Sequence, residues 1–143
     1  MDKFDCLKLE NQLCFPLYAA SRNVIRHYKP FLDEIDLTYT QYITMLVLWE
    51  VKKINVKDLG NKLYLDSGTL TPLLKTLEVK GYISRVRSSS DERNLFICLT
   101  DKGESLKEKA KNIPLEIGKC LNLSDEESIQ LYKLLYKILE TKE

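Results

Sequence analysis

One cysteine stands where a reactive thiol could be placed. The segment NQLCFPLY, residues 11–18, puts Cys14 two residues before Pro16, at the edge of an apolar pattern typical of a helix. If Pro16 lies in the first helical turn, Cys14 lies at a helix N-terminus, where the helix dipole and unpaired N–H groups favour a thiolate. A thiolate attacks a peroxide and becomes a sulfenic acid. Pro16 can equally kink a longer helix, and a free cysteine is most often a small buried core residue, so both alternatives stay open.

The other cysteines and the single histidine argue against a metal centre. The chain has four cysteines and one histidine, and no two cysteines form a CxxC pair. Zinc sites need such spacing, so we expect no metal and no cofactor. Cys6 lies in the N-terminal segment and Cys98 on a predicted strand, and we expect both to be bystanders.

Composition and charge narrow the class of protein. The 143 residues, 44% apolar and 30% charged, suit one domain, and no apolar run is long enough to span a membrane. The N-terminus lacks the order of a signal peptide, so we expect a cytoplasmic protein with no membrane partner. Net charge is only +1, but residues 51–100 carry 9 basic and 5 acidic side chains. A local basic surface of this kind is what contact with phosphates requires.

Helix signals mark the first half of the chain. Apolar residues at helical spacing predict a helix from Leu9 to Leu32. The capping box at residues 38–41 starts a second helix, which should be buried because YITMLVLWE is apolar nearly all round. Asn55 is placed to cap a short helix, and Asp66 or Ser67 to cap the next. Two short helices joined by a tight turn predict a helix–turn–helix.

A strand pair and further helices follow. Gly81 ends the second short helix, Ile83 to Val86 and Leu95 to Leu99 favour strands, and the polar run between the strands predicts a β-hairpin with a charged tip. Thr100 caps another helix, and Pro114 with the capping box at residues 124–127 delimits a last one.

The predicted fold class is mainly α with a small β-hairpin. It is a single domain, 1–143, in which a winged helix-turn-helix (37–112, wing 82–99) is flanked by N- and C-terminal dimerisation helices (5–36 and 113–143). The terminal helices are amphipathic and have no obvious partner in so small a core. We therefore expect them to pack against a second copy in a two-fold homodimer.

The second short helix has the composition of a DNA-reading helix. Its leucines fall on one face, and small or hydroxyl residues fall on the other. Short side chains let a helix enter the major groove, and hydroxyl and N–H groups bind phosphates. The alternative is the first turn of a solvated helix. Arginines on the hairpin are placed to reach the DNA backbone or minor groove, with Asp91 orienting Arg93. The candidate DNA-binding residues are Ser67, Gly68, Thr69, Thr71, Pro72, Lys75, Arg85, Arg87, Asp91 and Arg93.

Several segments resemble a known family. "LTPLLKTLEVKGYISRVRSSSDERNLFICLTDKG" is similar to the recognition helix and wing of MarR-family repressors, with a DxR wing seen as DERN and an LTxxG exit seen as LTDKG. "LENQLCF", "LTYTQY", "LVLWE" and "LYLDSGTLTPLLK" resemble, more narrowly, the organic hydroperoxide-sensing OhrR-type repressors. The resemblance covers nearly the whole chain.

The resemblance implies a sensor assembled from both subunits. It identifies Cys14 as the peroxide-reactive cysteine, and Tyr28 and Tyr39 as the tyrosines that reach its sulfur across the dimer interface. In some members a resolving cysteine in the C-terminal region of the partner subunit reacts with the oxidised cysteine, and Cys120 matches its position. In other members a small thiol caps the oxidised cysteine. Cys120 can also be a bystander. Pro16 departs from the family, where an apolar helix former is expected.

The sequence therefore predicts a homodimeric repressor and not an enzyme. We expect it to bind double-stranded DNA at a pseudo-palindromic operator, to react with an organic hydroperoxide as inducer, and to release the operator. Two alternatives remain: a MarR-type repressor controlled by a small aromatic ligand, and, more distantly, a thiol peroxidase that uses the same cysteine.

Overall fold

The computed structural model describes residues 2–91 and 94–140, and the chain divides into two compact units between Ile113 and Pro114. Two short 3-10 turns, Asp5–Leu7 and Leu9–Asn11, open the chain. The helices are α1 (Cys14–Asp33), α2 (Tyr39–Val51), α3 (Val56–Leu63), α4 (Ser67–Val79), α5 (Asp101–Ala110), α6 (Ile113–Cys120) and α7 (Asp125–Leu139). The strands are β1 (Lys53–Asn55), β2 (Ile83–Arg87) and β3 (Leu95–Leu99). No helix within the described ranges is both long and apolar enough to cross a membrane.

Helix α1 begins later than its apolar pattern predicted. Leu9 lies in a 3-10 turn and Leu13 is the N-cap residue, so the helix starts at Cys14. Lys8 and Gln12 have extended backbone (ψ 138° and 112°), which interrupts any continuous helix. Pro16 is the third residue of α1 and therefore lies in its first turn, where a missing N–H costs no helical hydrogen bond.

Helix α2 forms the centre of the first unit, as predicted. The Thr38 hydroxyl accepts from the Gln41 N–H, and the Gln41 side chain accepts from the Thr38 N–H, which completes the capping box. Met45 and Leu48 are fully buried, while Leu46 remains 42% exposed, so the burial is not complete all round. The Trp49 indole N–H donates to the Gly103 carbonyl at 2.9 Å, which fixes α2 to α5.

The sheet has three strands in the order β1-β3-β2, all antiparallel. Both hairpin strands were predicted, but β1 was not. Its three residues are too few to show an alternating pattern, and the strand exists because Ile54 pairs with Ile97 across the sheet.

The helix–turn–helix α3–α4 follows its predicted caps. Asn55 caps α3 and Asp66, not Ser67, caps α4. Gly81 (φ +85°) ends α4: its N–H donates to the Glu78 carbonyl, and the Tyr82 N–H donates to the Leu77 carbonyl. This pair of bonds is a Schellman motif, which needs the left-handed backbone that glycine adopts freely.

The second unit contains one helix that the sequence did not predict. Pro114 does not separate two helices but occupies the second position of α6, where proline is well tolerated. Helix α7 begins with the predicted capping box, in which Ser124 and Glu127 bond reciprocally. No residue of α7 is buried, although many are large and apolar.

Candidate functional site

Cys14 occupies the exposed start of a helix. It is the first residue of α1, and the N-cap residue Leu13 provides no side-chain hydrogen bond. Pro16 has no N–H, so Cys14 and Phe15 carry the first-turn N–H groups that no cap satisfies. Of the two alternatives for Pro16, the first-turn position is confirmed, and the isolated chain does not bury the thiol in a core.

The segment before Cys14 is held together by two amide side chains. The Gln12 Nε2 donates to the carbonyls of Cys6 (2.7 Å) and Lys8 (2.9 Å), and the Asn11 Nδ2 donates to the Asp5 carbonyl (2.7 Å). These contacts were not predicted from the sequence, although two adjacent amide side chains, Asn11 and Gln12, could have indicated them. An open groove of about 690 Å³ is lined by Lys8, Leu9, Glu10, Gln12, Phe15 and Pro16, which precede and follow Cys14 in the sequence.

Tyr28 and Tyr39 lie together, as the resemblance implied. Their ring centroids are 5.0 Å apart, and Tyr42 joins them at 5.7 Å from Tyr28. Burial raises the pKa of Tyr28 to about 12, with smaller contributions from Tyr39 and Tyr42. Burial raises the pKa of Tyr39 as well. Among the described residues neither hydroxyl has a hydrogen-bond partner, so both are available as donors.

Cys14 and Tyr28 cannot meet within one chain. Both lie on α1, fourteen residues apart. At 1.5 Å per residue they are separated by about 21 Å along the helix axis, far more than two side chains can span. Cys14 therefore lies far from Tyr28 along α1, and Tyr39 of α2 packs against Tyr28.

The remaining cysteines differ in exposure. Cys6 is exposed in the first 3-10 turn, and Cys98 is half-buried on β3 between Lys53 and Ser84. Cys120 is exposed at the end of α6, where its thiol donates to the Glu116 carbonyl at 3.4 Å. Within the described ranges no three histidine, cysteine or acidic side chains are grouped to hold a metal.

Helix α4 presents the predicted faces. Leu70, Leu73, Leu74 and Leu77 are at most 8% exposed, whereas Ser67, Gly68, Thr69, Thr71, Pro72 and Lys75 are all exposed. The Asp66 carboxylate accepts from the Thr69 N–H at 2.8 Å, and this bond keeps the pKa of Asp66 below its ordinary value. That N–H is therefore already used and is not free for a phosphate, while the Thr71 hydroxyl donates to the Ser67 carbonyl at 2.8 Å.

The wing arginines have different surroundings. The Arg85 guanidinium is paired with Glu78 of α4, through Nε at 3.1 Å and a terminal nitrogen at 3.0 Å, and the Arg85 backbone N–H donates to the same carboxylate. Arg87 is exposed at the end of β2 and Asp91 is half-buried. Arg93, and with it the predicted Asp91–Arg93 contact, lies outside the described residues.

The chain is similar to known transcriptional regulators. The family model "Transcriptional regulator SarA/Rot" matches residues 26–110. The organic hydroperoxide resistance transcriptional regulator of Bacillus subtilis is 53% identical over 140 residues, covering 98% of this chain and 95% of its own.

Two solved structures of AbfR, a protein of Staphylococcus epidermidis, are also similar. Reduced AbfR bound to DNA is 37% identical, with a TM-score of 0.79 and 96% of each chain covered. Disulfide-formed AbfR is 37% identical, with a TM-score of 0.66, 96% of this chain and 97% of that chain covered. The chain thus belongs to the MarR family of winged helix-turn-helix transcriptional regulators, in its organic hydroperoxide-sensing branch.

Proposed function

We propose that this protein is a homodimeric DNA-binding repressor that senses organic hydroperoxides through oxidation of Cys14 and then releases its operator. Its Bacillus subtilis relative is named for organic hydroperoxide resistance, and reduced AbfR has been solved on DNA. The Bacillus subtilis relative is named as a transcriptional regulator, which supports a regulator rather than an enzyme. The whole chain, 1–143, acts as one MarR-type domain in which segments 5–36 and 113–143 form the dimer.

The observation that carries the sensing proposal is the distance along α1 between the thiol and the tyrosine pair. Cys14 begins this helix, Tyr28 lies about 21 Å further along it, and Tyr39, the first residue of α2, packs against Tyr28. Two copies of α1 packed antiparallel would place each Cys14 beside Tyr28 and Tyr39 of the partner subunit. A two-fold dimer provides this arrangement twice, because each residue contacts its counterpart reciprocally.

The paired tyrosines suit a thiolate. Like ordinary tyrosines, both phenols are protonated at neutral pH and can donate to a sulfur anion, and burial raises their pKa values further. The thiolate attacks the hydroperoxide, so an S–O bond forms and the O–O bond breaks. The peroxide is reduced to an alcohol, whose oxygen takes up a proton, and the sulfur is oxidised to sulfenic acid.

A second thiol completes the switch. Condensation of the sulfenic acid with a thiol forms a disulfide and releases water. Cys120 of the partner subunit is our candidate for that thiol, since it is exposed at the end of α6. A small thiol is the alternative. AbfR forms a disulfide, which supports a covalent state in this family.

The DNA-binding part is the exposed face of α4 with the wing. We assign the direct contacts to Ser67, Gly68, Thr69, Thr71, Pro72 and Lys75 in the major groove, and to Arg87 and Arg93 beside it. Arg85 acts differently, because Glu78 holds its guanidinium and so braces the wing against α4. In a dimer the two α4 helices read half-sites about one DNA turn, roughly 34 Å, apart.

A gel shift on DNA from the region upstream of the gene tests the proposal. Reduced wild-type protein should bind and should release the DNA after cumene hydroperoxide, and Cys14→Ser should bind but not release it. If Cys14→Ser still responds to peroxide, Cys14 is not the sensor. Repeated consumption of peroxide with a reductant would instead indicate a thiol peroxidase.

The same samples on a non-reducing gel test Cys120. We expect a covalent dimer after oxidation of the wild type and its loss in Cys120→Ser, with Cys98→Ser as the matched control. A wild type that stays monomeric on the gel would assign the second thiol to a small molecule.

A further inference from the structure

Lys80 makes an unexpected set of contacts at the end of the DNA-reading helix. It is the C-cap residue of α4, a position where a lysine usually extends into water near the helix dipole. Its side chain is instead only 23% exposed. The ammonium donates to the Asp36 backbone carbonyl and lies 3.3 Å from Gln41 Oε1. The Asp36 carboxylate is 3.5 Å away but 87% exposed, so solvent screens its attraction to the Lys80 ammonium. The two neutral acceptors therefore contribute more to holding the Lys80 side chain.

Both acceptors belong to the segment that carries the sensor tyrosine. Gln41 Oε1 also accepts from the Thr38 N–H at 3.0 Å, as part of the capping box that starts α2. Tyr39 lies inside that box as the first residue of α2. Asp36 has a left-handed backbone (φ +53°) in the turn that leads into the box. Tyr39 thus lies in the same short segment as both acceptors of Lys80.

The other side of the same helix end is fastened separately. The Lys80 carbonyl accepts from Lys102 Nζ at 2.8 Å, and the Gly81 carbonyl accepts from the Thr100 hydroxyl at 2.6 Å. Helix α4 is thus held at its C-terminus between the α1–α2 turn and the start of α5. Its 13 residues extend about 20 Å from that point to the exposed N-terminal face, so a small rotation at Lys80 is enlarged there.

We propose that Lys80 is the positioning residue that transmits the state of the sensor to the DNA-reading helix. The inference rests on the proposed function and deepens it. When the partner's Cys14 is reduced, Tyr39 and the capping box hold the Asp36 carbonyl and Gln41 in the position that keeps α4 in register with DNA. When the sulfur is oxidised, Tyr39 shifts, the acceptors shift with it, and Lys80 turns α4 out of register.

The test separates transmission from DNA contact and from sensing. The probe is a duplex that reduced wild-type protein selects from a random library, and each protein is measured before and after one equivalent of cumene hydroperoxide per Cys14. The ratio of oxidised to reduced Kd measures the coupling, which typically lies between about 5-fold and 150-fold in allosteric proteins. Alkylation of the remaining thiol measures how much Cys14 has reacted.

We expect Lys80→Met to reduce this ratio at least about 5-fold, while Cys14 oxidises at the wild-type rate. Lys80→Arg, which keeps the charge and donors, should restore most of the ratio. Lys109→Met is the matched control, because Lys109 is an exposed lysine of α5. Should Lys80→Met not fold, as judged by circular dichroism, Lys80→Gln takes its place with the same expectation.

Two results would overturn the inference. One is an unchanged ratio in Lys80→Met, in a protein whose wild type does respond to peroxide. The other is a decrease of about one in the slope of log Kd against log salt, which would make Lys80 a phosphate contact. A wild type that ignores peroxide would instead contradict the proposed function itself.

Discussion

At the scale of single residues, the sensor depends on protonation as much as on position. An ionised phenol beside a thiolate would repel it, whereas a protonated phenol donates to it. Burial of the Tyr28 ring against Tyr39 and Tyr42 raises the pKa of Tyr28 to about 12, so its phenol stays protonated even at alkaline pH. The burial that packs α1 against α2 thus favours the protonated form that our proposal requires.

This raised pKa predicts a loss of stability at alkaline pH. The unfolded chain ionises Tyr28 near 10.0, while the folded chain keeps the proton until about 12. The contribution to the free energy of unfolding is thus complete below pH 10.0 and is lost as pH rises toward 12. Tyr28→Phe should lose less stability over this window, as measured by urea unfolding at alkaline pH. Tyr18→Phe, at an exposed position of α1, is the control, and identical pH dependence in both variants would contradict the prediction.

At the scale of elements, close contact between segments fixes where the DNA-reading helix lies. Helix α5 approaches the start of β2 so closely that a Cβ at Gly103 would lie 2.2 Å from the Tyr82 carbonyl oxygen. Trp49 of α2 donates to the carbonyl of the same glycine. One residue without a side chain therefore lets α2, α5 and the base of the wing meet.

Alanine substitutions of one glycine in α5 and one in α6 are predicted to change stability in opposite directions. Gly103→Ala should destabilise the protein by about 2 kcal/mol or more, because the backbone carbonyl in its way cannot rotate aside. Gly118→Ala in α6 meets nothing within 4 Å and should gain roughly 0.5–1 kcal/mol from helix propensity. Urea unfolding midpoints compare the two variants, and a destabilised Gly118→Ala with an unaffected Gly103→Ala would refute the reasoning.

At the scale of the whole molecule, a single chain leaves a large apolar surface uncovered. Helix α7 alone exposes Ile129, Leu131, Tyr132, Leu134, Tyr136, Ile138 and Leu139, each by at least 42%. Soluble monomers rarely expose contiguous apolar surface of this extent. A second copy that covers it gives the dimer that a pseudo-palindromic operator needs.

The dimer predicts that one charge on α7 disables DNA binding at a distance. Leu134 is 58% exposed, and Leu134→Asp should bury an unpaired carboxylate at the interface. We expect its mass by light scattering to fall from dimer to monomer and its operator affinity to fall at least about tenfold, since one half-site is lost. Lys137→Asp, an exposed polar position on the same helix, should remain a dimer. Equal masses for both variants would place the interface elsewhere.

The sequence by itself determined the features that depend on neighbouring residues. The caps at Thr38, Asn55 and Ser124, the stop at Gly81 and the leucine face of α4 were all predicted, because each arises from bonds or spacing within a few residues. The sensor roles of Cys14, Tyr28 and Tyr39 were implied by the resemblance of short motifs to a known family, and they stay predictions.

Only the tertiary structure decided which distant residues meet. Strand β1 exists because β3 pairs with it, and Arg85 is held by Glu78 from another element. Lys80 reaches Asp36 and Gln41 across about forty positions of sequence, a distance that no periodicity or capping rule spans. Such contacts depend on how helices and strands pack, so the sequence could suggest the thiol and the DNA-reading face but not the contacts of Lys80 that we propose to join them.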